Sequence, residues 1–276
     1  MREIELNLKE SQQAALDILN KVSEICESEN FTYSLAFGTL IGAIRHKGFI
    51  PWDDDIDIFM PRPDYELFCK YCIEHKNELA PFKLLNMDTC EGYPFMIGRI
   101  SDDRYVLDVV NEKPYGLGIF VDIYPFDGLG NDYRTAYQLM AKLRKYPRLM
   151  YLSTRKHYHF GITHGWIKRL LKIGAFCYAK LRGKNFFMNK MMSMVDTHCY
   201  DKSRFVGCAV WGAGSKVFVF DKQKLGKLVF VDFEGKKFRS YEGWDYLLTE
   251  WFGNYMQLPP EKDRVPHHLY KAYRKE

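Results

Sequence analysis

Four aspartates stand close together where the chain enters an apolar segment: Asp53, Asp54, Asp55 and Asp57. In an extended segment residues two apart share a face, so Asp55 and Asp57 point to one side and the isoleucines beside them point into a core. Two adjacent carboxylates at a core edge repel each other unless a cation neutralises both. Because carboxylate oxygens are the ligands that Mg²⁺ prefers, the pattern predicts a divalent metal site. A solvated acidic turn would account for the first two aspartates alone.

Gly38 and Thr39 follow a predicted strand at 31–37 and precede a predicted short helix at 40–46. The start of a helix exposes unpaired backbone N–H groups, and a glycine lets a phosphate approach them closely. A Gly-Thr pair is a weak signal by itself. Followed by a helix, a turn and an Asp-x-Asp strand, it predicts a phosphate site beside the metal site.

Asp122 lies inside another apolar strand, predicted at 118–124. An unpaired carboxylate buried there would be costly, so a cation should lie nearby. Asp122 is therefore the candidate for a third metal-binding carboxylate, and a buried aspartate satisfied by backbone donors is the alternative. Asp127 is more simply explained as a turn residue ahead of Gly128.

The elements that must position these carboxylates alternate between helices and strands. A first helix is predicted at 8–29, with Ser11 as its cap, and two more at 64–75 and 242–251. Further strands are predicted at 55–60, 95–100 and 105–110, together with a strand pair within 217–238 around Gly226 or Gly235. Residues 133–200 are predicted to be mainly helical. This order predicts an α+β protein with a mixed sheet and flanking helices.

Length, composition and cysteine content limit the class of protein. The chain has 276 residues, of which 47% are hydrophobic and 27% charged, as expected for a globular protein with a substantial core. Its N-terminus lacks an apolar secretory signal, and no segment is apolar for the roughly 18 residues that span a bilayer. The seven cysteines contain one CxxC pair without a second, so we expect reduced thiols and a cytoplasmic protein.

Charge is distributed unevenly along the chain. Residues 133–195 contain fourteen lysines and arginines and no aspartate or glutamate, although the whole chain has a net charge of only +5. Within this segment Trp166, Leu170 and Leu171 lie among Lys168, Arg169 and Lys172, a pattern typical of a helix at an anionic membrane surface. A buried helix whose lysines reach to solvent is the alternative. Nucleic acid is a less favoured partner, since no groove-reading motif accompanies the charge.

Three stretches of the sequence resemble the LicD family, which has the nucleotidyltransferase fold and includes phosphocholine transferases and, more distantly, the fukutin group. They are LAFGTLIGAIRHKGFIPWDDDIDIFMPRPDYELF at 35–68, FVDIYPFDGL at 120–129 and WDYLLTEWFGNYMQLPPEKDRVPHH at 244–268. The resemblance places the Gly-Thr motif on Gly38 and Thr39, the Asp-x-Asp on Asp55 and Asp57, and the third carboxylate on Asp122. The assignments made from spacing agree.

The resemblance implies an enzyme that transfers a phospho-alcohol, most simply phosphocholine, from a CDP-linked donor such as CDP-choline. The acceptor would be a hydroxyl of a lipid-linked or polymeric cell-surface glycan, as in teichoic acid, capsule or lipopolysaccharide, and CMP would leave. Asp55 and Asp57 would hold two Mg²⁺ ions, with Mn²⁺ as the alternative, and Asp122 would hold the ion that activates the acceptor hydroxyl. Thr39 and the N–H groups after Gly38 would hold the diphosphate.

Two further groups of residues are candidates for donor contacts. Arg45, His46 and Lys47 lie in the predicted loop over the site, where they would neutralise CMP; surface residues facing water are the alternative. The resemblance also extends through three C-terminal residues that would close over the donor phosphates: Lys262, Arg264 and His267. A choline group would need aromatic faces, and the candidates are Trp52, Trp211, Tyr241, Trp244 and Trp251, each of which core packing would also explain.

The predicted organisation has three parts. A nucleotidyltransferase core occupies 1–130, a basic helical insertion 131–200, and a C-terminal extension that completes the site 201–276. The enzyme would associate peripherally with the inner face of the cell membrane. Two other functions remain open: an Asp-x-Asp glycosyltransferase that uses a nucleotide sugar, and a non-catalytic membrane-associated adaptor in glycan assembly.

Overall fold

The computed structural model describes residues 3–109, 111, 113–158, 165–195, 197–211, 216–265 and 270–275. The helices are α1 (Leu8–Ser28), α2 (Phe37–Ile41), α3 (Arg62–Glu74), α4 (Lys76–Leu79), α5 (Tyr133–Leu143), α6 (Lys145–Thr154), α7 (Trp166–Val195) and α8 (Trp244–Phe252). The strands are β1 (Glu3–Glu5), β2 (Ser34–Leu35), β3 (Asp57–Pro61), β4 (Phe82–Leu85), β5 (Gly98–Asp102), β6 (Tyr105–Asp108), β7 (Phe120–Gly128), β8 (Phe205–Gly207), β9 (Phe220–Asp221), β10 (Leu228–Phe233), β11 (Lys236–Tyr241) and β12 (Lys271–Lys275).

A mixed sheet in the order β2-β3-β7-β5-β4 forms the centre of the molecule. Strands β3 and β7 are parallel, and the other pairs along this path are antiparallel. β3 and β7 are buried along their whole length, which explains their nearly continuous apolar sequence. The predicted α+β fold with a mixed sheet is confirmed.

Helix α1 packs against β5 and β7 of this sheet. Its apolar residues recur at helical spacing, and Ala15, Leu19 and Val22 are fully buried as a result. The helix is capped by Asn7, whose side chain accepts a hydrogen bond from the Glu10 N–H while the Glu10 side chain accepts one from Asn7. The prediction of Ser11 as the cap is therefore wrong by one turn.

Segments from the C-terminal part return to the N-terminal part. β8 pairs with the end of β7 and with β9, and β12 lies between β1 and β6 in a second, antiparallel sheet. The predicted strand pair within 217–238 is β10 and β11, joined by a turn at Gly235. Short pairings such as β1 with β12 have little sequence signal of their own and were not predicted.

Two predictions about single aspartates are corrected by strand positions. Asp127 is not a turn residue: it lies within β7, is 1% exposed, and forms an ion pair with Arg62 at 2.6 Å. Its other carboxylate oxygen accepts a hydrogen bond from the backbone N–H of Ala209. Asp55 was expected on the same strand as Asp57, but β3 begins at Asp57 and Asp55 lies in the segment before it.

The basic segment is helical as predicted, but it is interrupted. Helix α7 contains Gly183 with a φ of 72°, which breaks the helical path because this conformation suits glycine alone. Helices α6 and α7 pack against each other. None of the described helices is long and apolar enough to cross a membrane.

Candidate active site

The parallel pairing of β3 and β7 brings two buried aspartates side by side. Asp57, the first residue of β3, is the register partner of Asp122 on β7. Residues paired across neighbouring strands place their side chains on the same face of the sheet. Asp57 is 8% and Asp122 6% exposed, and both line one cleft. The tertiary fold thus joins two carboxylates that are 65 residues apart in sequence.

The rest of the acidic cluster lies directly before β3. Asp53, Asp54 and Asp55 each offer a carboxylate oxygen, and these three oxygens lie within 4.8 Å of one another. Asp53 is buried and the other two are half-buried. Asp53 and Asp55 also line the cleft that contains Asp57 and Asp122. The predicted carboxylates are therefore close together, and Asp53 joins them although it was explained only as part of a turn.

Asp57 is in an unfavourable electrostatic environment for a carboxylate. Its Oδ1 atom is buried and accepts no hydrogen bond from the described residues. Burial raises the pKa of Asp57 well above its ordinary value, and the charges of Asp55 and Asp122 raise the pKa further. A buried oxygen without a donor, among several like charges, is the environment that a hard divalent cation stabilises. The residues present therefore fit Mg²⁺.

Arg99 on β5 supplies the cation that Asp122 was predicted to need. Its Nε donates to Asp122 Oδ1 at 2.6 Å and its Nη2 donates to Oδ2 at 3.3 Å. The guanidinium carbon lies 4.7 Å from the ring centre of Phe95 and 4.2 Å from that of Phe120. Burial lowers the pKa of Arg99, but the charge and hydrogen bonds of Asp122 together with Tyr93 and Tyr124 raise it, and the net shift is upward. Sequence reasoning missed Arg99, whose only signal is a single charge inside an apolar strand.

Gly38 and Thr39 hold the acidic segment in place. A Cβ on Gly38 would lie 2.6 Å from Asp53 Oδ2, so the missing side chain lets that carboxylate lie against the helix start. The hydroxyl of Thr39 is buried and accepts a hydrogen bond of 2.9 Å from the backbone N–H of Asp57. In this structure both residues position the carboxylates, whereas the predicted contacts with phosphate stay predictions.

The predicted basic loop is a π-helical turn at Gly42–His46 that ends at Lys47 in a left-handed conformation. Arg45 lines the cleft, and its Nη1 donates to the carbonyl of Tyr255 at 2.7 Å. Its Nε donates to His46 Nε2 at 2.9 Å, and burial followed by the charge of Arg45 lowers the pKa of His46. Lys47 is exposed and does not line the cleft, so only Arg45 of the three is directed at it.

The cleft has a volume of about 790 Å³, enough for a nucleotide-sized ligand. One wall comes from the C-terminal part of the chain, from Phe252 through Pro260 to Asp263. Lys262 and Arg264 flank this wall but are not part of the lining; Arg264 instead donates to the carbonyl of Pro259 and lies 5.7 Å from the ring of Trp52. The predicted site residue His267 lies outside the described residues.

The aromatic candidates divide into two groups. Trp52 and Trp211 line the carboxylate cleft, and Trp211 and Trp251 line a smaller cavity beside it. Tyr241 is buried and stacks on Phe59 with ring centres 5.6 Å apart. Trp244 lies at the start of α8. Among the described cavities, neither Tyr241 nor Trp244 contributes to a wall.

Comparison with known proteins identifies the family. The model of the LicD/FKTN/FKRP nucleotidyltransferase domain matches residues 30–160, which include α2, the acidic cluster and β7. A lipopolysaccharide cholinephosphotransferase LicD of Haemophilus influenzae is 33% identical over 275 residues, covering 97% of this chain and 98% of that protein. The chain belongs to the LicD family. The predicted resemblance is confirmed, and with it the prediction of an enzyme of a phosphotransferase family.

A second relative shares only part of the chain. An uncharacterised protein of Rickettsia typhi is 39% identical over 121 residues, which is 42% of this chain and 36% of that protein. The similarity to this protein is therefore confined to less than half of either chain. The near-complete coverage of the Haemophilus protein is the more informative comparison for the whole chain.

Proposed function

We propose that this protein transfers phosphocholine from CDP-choline to a hydroxyl of a cell-surface glycan precursor, in a reaction that depends on Mg²⁺. The observation that carries the proposal is a group of carboxylates that line a nucleotide-sized cleft around Asp57, whose Oδ1 accepts no hydrogen bond from any described residue. The cholinephosphotransferase activity for which the Haemophilus relative is named supports phosphocholine as the group transferred. Lipopolysaccharide, teichoic acid and capsule precursors all offer such a hydroxyl.

The residues of the cleft divide the proposed reaction between them. Asp55 and Asp57 would hold the metal, which would stabilise the negative charge of the phosphoryl group in the transition state. The bond between the phosphocholine phosphorus and the CMP oxygen breaks as the acceptor oxygen bonds to phosphorus. Asp122, held in orientation by Arg99, accepts the proton of the acceptor hydroxyl. Arg45 lines the same cleft and compensates the negative charge of departing CMP.

Donor specificity gives the first test. We expect CDP-choline with Mg²⁺ to raise the melting temperature of the protein, because a ligand that binds only the folded state stabilises it. CDP-choline at about 100 times its dissociation constant should add roughly 2.7 kcal/mol to the free energy of unfolding. Thermal melts with CDP-choline, CDP and UDP-sugars, each with Mg²⁺ or EDTA, measure this.

The same measurement separates the alternatives. Stabilisation by UDP-sugars but by no cytidine compound would favour the glycosyltransferase. No stabilisation by any nucleotide, together with no Mg²⁺ binding, would favour the non-catalytic adaptor. A stabilisation by CDP-choline that EDTA leaves unchanged would remove the metal from donor binding.

We further propose that the start of α7 brings the enzyme to a lipid-linked acceptor at an anionic membrane. Four apolar side chains there are more than half exposed: Trp166, Ile167, Leu170 and Leu171. Positions separated by three, four and five residues form one face of a helix, and Lys168, Arg169 and Lys172 lie on the other. The alternative of a buried helix is wrong for these two turns, since their apolar residues are exposed.

Charge reversal at this helix tests the membrane proposal. Near an anionic surface each lysine or arginine contributes about 1 kcal/mol, so replacing Lys168, Arg169 and Lys172 with glutamate should release the protein from phosphatidylserine vesicles. Transfer to a lipid-linked acceptor should slow, whereas transfer to a short soluble acceptor should stay unchanged. Vesicle sedimentation and the two transfer rates are the measurements.

A matched control changes the same charge elsewhere. Replacing Lys236 and Lys237 of the β10–β11 hairpin and Lys227 just before it with glutamate should leave vesicle binding largely intact, because all three lie outside the basic segment. If both triple variants lose vesicle binding equally, net charge and not α7 is responsible. If the α7 variant loses transfer to both acceptors equally, the helix supports the active site instead.

A further inference from the structure

An aromatic side cavity opens beside the carboxylate cleft and shares a wall with it. The side cavity has a volume of about 220 Å³, and the shared wall contains Asp57, Phe37, Tyr124 and Trp211. Four more aromatic rings line the rest of the side cavity: Phe126, Phe218, Phe220 and Trp251. It is smaller than the roughly 300 Å³ at which pockets for drug-sized ligands begin, so it suits a small group of a larger ligand held in the cleft.

The rings at the shared wall are in close contact. The ring centre of Phe37 lies 5.1 Å from that of Tyr124 and 4.6 Å from that of Trp251. Tyr124 is in turn 5.5 Å from Trp211, with the two rings nearly perpendicular. Phe37 and Trp211 are only partly buried, so their surfaces remain accessible from the cleft.

Phe37 is held in a backbone conformation that phenylalanine rarely adopts. Its φ is 44°, in the left-handed region that favours glycine. Such strain persists only where the surrounding structure enforces it, and it concentrates at ligand sites. Phe37 is also the first residue of α2 and directly precedes Gly38, which contacts the Asp53 carboxylate. The strained residue thus joins the aromatic wall to the acidic cluster.

We propose that this side cavity binds the trimethylammonium group of choline, with Phe37, Tyr124, Trp211 and Trp251 as its aromatic walls. The inference rests on the proposed function and specifies the donor alcohol. A quaternary ammonium cannot donate a hydrogen bond and is recognised by aromatic faces within about 6 Å. Only two methylene groups separate the ammonium nitrogen from the phosphate ester oxygen. A choline subsite must therefore border the phosphoryl site, as the shared wall at Asp57 does.

A second apolar cavity, which Trp211 also lines, fits this ligand poorly. It has a volume of about 320 Å³, but its lining residues include Arg99 and Arg148 and do not include Asp57. Without Asp57 in its lining, this cavity does not share the wall at the proposed phosphoryl site that the short choline chain requires. The aromatic side cavity also has two basic residues in its lining, Arg144 and Lys216, but both are exposed to solvent, which screens their charges.

Calorimetry with three ligands tests the proposal: CDP-choline, CDP, and the neutral analogue CDP-3,3-dimethylbutanol, in which carbon replaces the ammonium nitrogen. Phe37→Leu and Trp211→Leu keep apolar volume but remove a ring face. In the presence of Mg²⁺ we expect each variant to bind CDP-choline roughly 3- to 30-fold more weakly than the wild type, which is the range of a single cation–π contact. Binding of CDP and of the neutral analogue should change less than about twofold. Trp211→Phe should recover part of the lost affinity.

Trp244→Leu is the matched control, because Trp244 lines none of the described cavities. This variant should bind all three ligands with the affinities of the wild type. The subsite is refuted if the Leu variants at Phe37 and Trp211 keep the wild-type ratio of CDP-choline to CDP affinity. The subsite is also refuted if these variants lose affinity for CDP-choline and for the neutral analogue equally, since the cavity would then not recognise the positive charge. Failure of the wild type to bind CDP-choline at all would instead overturn the proposed function.

Discussion

Replacing Asp57 by asparagine should reduce the rate of transfer by roughly three orders of magnitude or more. The metal is expected to supply several kcal/mol of charge stabilisation in the transition state, and each 1.36 kcal/mol corresponds to about tenfold in rate. Asparagine keeps the shape of the side chain but removes the charge that would hold the cation. The initial rate with CDP-choline and a soluble acceptor measures the loss.

The same variant should be more stable than the wild type when no metal is present. A carboxyl group whose pKa is raised in the folded state binds its proton more tightly there than in the unfolded chain, so its ionised form destabilises the fold at neutral pH. Asp57→Asn should therefore raise the melting temperature in EDTA and abolish most of the stabilisation by Mg²⁺.

Asp108 provides the matched control for this substitution, because it is an exposed aspartate on β6 outside the cleft. Asp108→Asn should leave both rate and melting temperature unchanged. If Asp57→Asn keeps activity within tenfold of the wild type, Asp57 does not hold a catalytic metal. A lower melting temperature in EDTA would show that its carboxylate is stabilised by a contact other than the cation.

Replacing Arg99 by methionine should lower the free energy of unfolding by about 3–5 kcal/mol, which is the usual cost of breaking a buried ion pair by removing one partner. Asp122 would lose both of its hydrogen bonds from the guanidinium while remaining 6% exposed. Methionine fills a similar volume between Phe95 and Phe120, so the cost comes mainly from the uncompensated carboxylate. Urea denaturation monitored by circular dichroism measures it.

Two further variants show whether charge is the cause. Arg99→Met combined with Asp122→Leu should recover part of the lost stability, because neither charge of this pair then remains buried without the other. Lys237→Met, which breaks the exposed pair with Asp232, should cost no more than about 1 kcal/mol. The explanation fails if the double variant loses as much free energy of unfolding as Arg99→Met and Asp122→Leu lose together as single variants. It also fails if Arg99→Met lowers the free energy of unfolding by less than Lys237→Met does.

The stabilisation of Arg99→Met by Mg²⁺ shows whether Asp122 is a metal ligand. If Asp122 is a metal ligand, removing its arginine partner should make Mg²⁺ stabilise this variant more than the wild type, since the ion would then compensate the buried charge. Equal Mg²⁺ stabilisation of the two proteins would indicate that Asp122 remains outside the metal site and acts on the acceptor alone.

The local sequence pattern was sufficient to predict a helix or strand where its apolar spacing is visible within a few residues. The spacing of apolar residues predicted α1, and the alternation around Asp57 predicted a strand whose isoleucines are fully buried. Boundaries were less accurate: the predicted strand at 55–60 begins only at Asp57, which places Asp55 outside the ladder. Helix and strand ends depend on hydrogen-bond partners from other segments, which local sequence does not show.

The sequence by itself determined the family, the mixed α+β class and the identity of the acidic residues, because motif residues and apolar periodicity are local properties. Only the tertiary structure decided which groups meet. Arg99 reaches Asp122 because β5 pairs with β7 in the register that sets them opposite each other. The rings of Phe37, Tyr124 and Trp211 converge beside Asp57 from three distant parts of the chain. Such contacts follow from strand order and register, which are fixed by the packing of the whole core and not by any one segment.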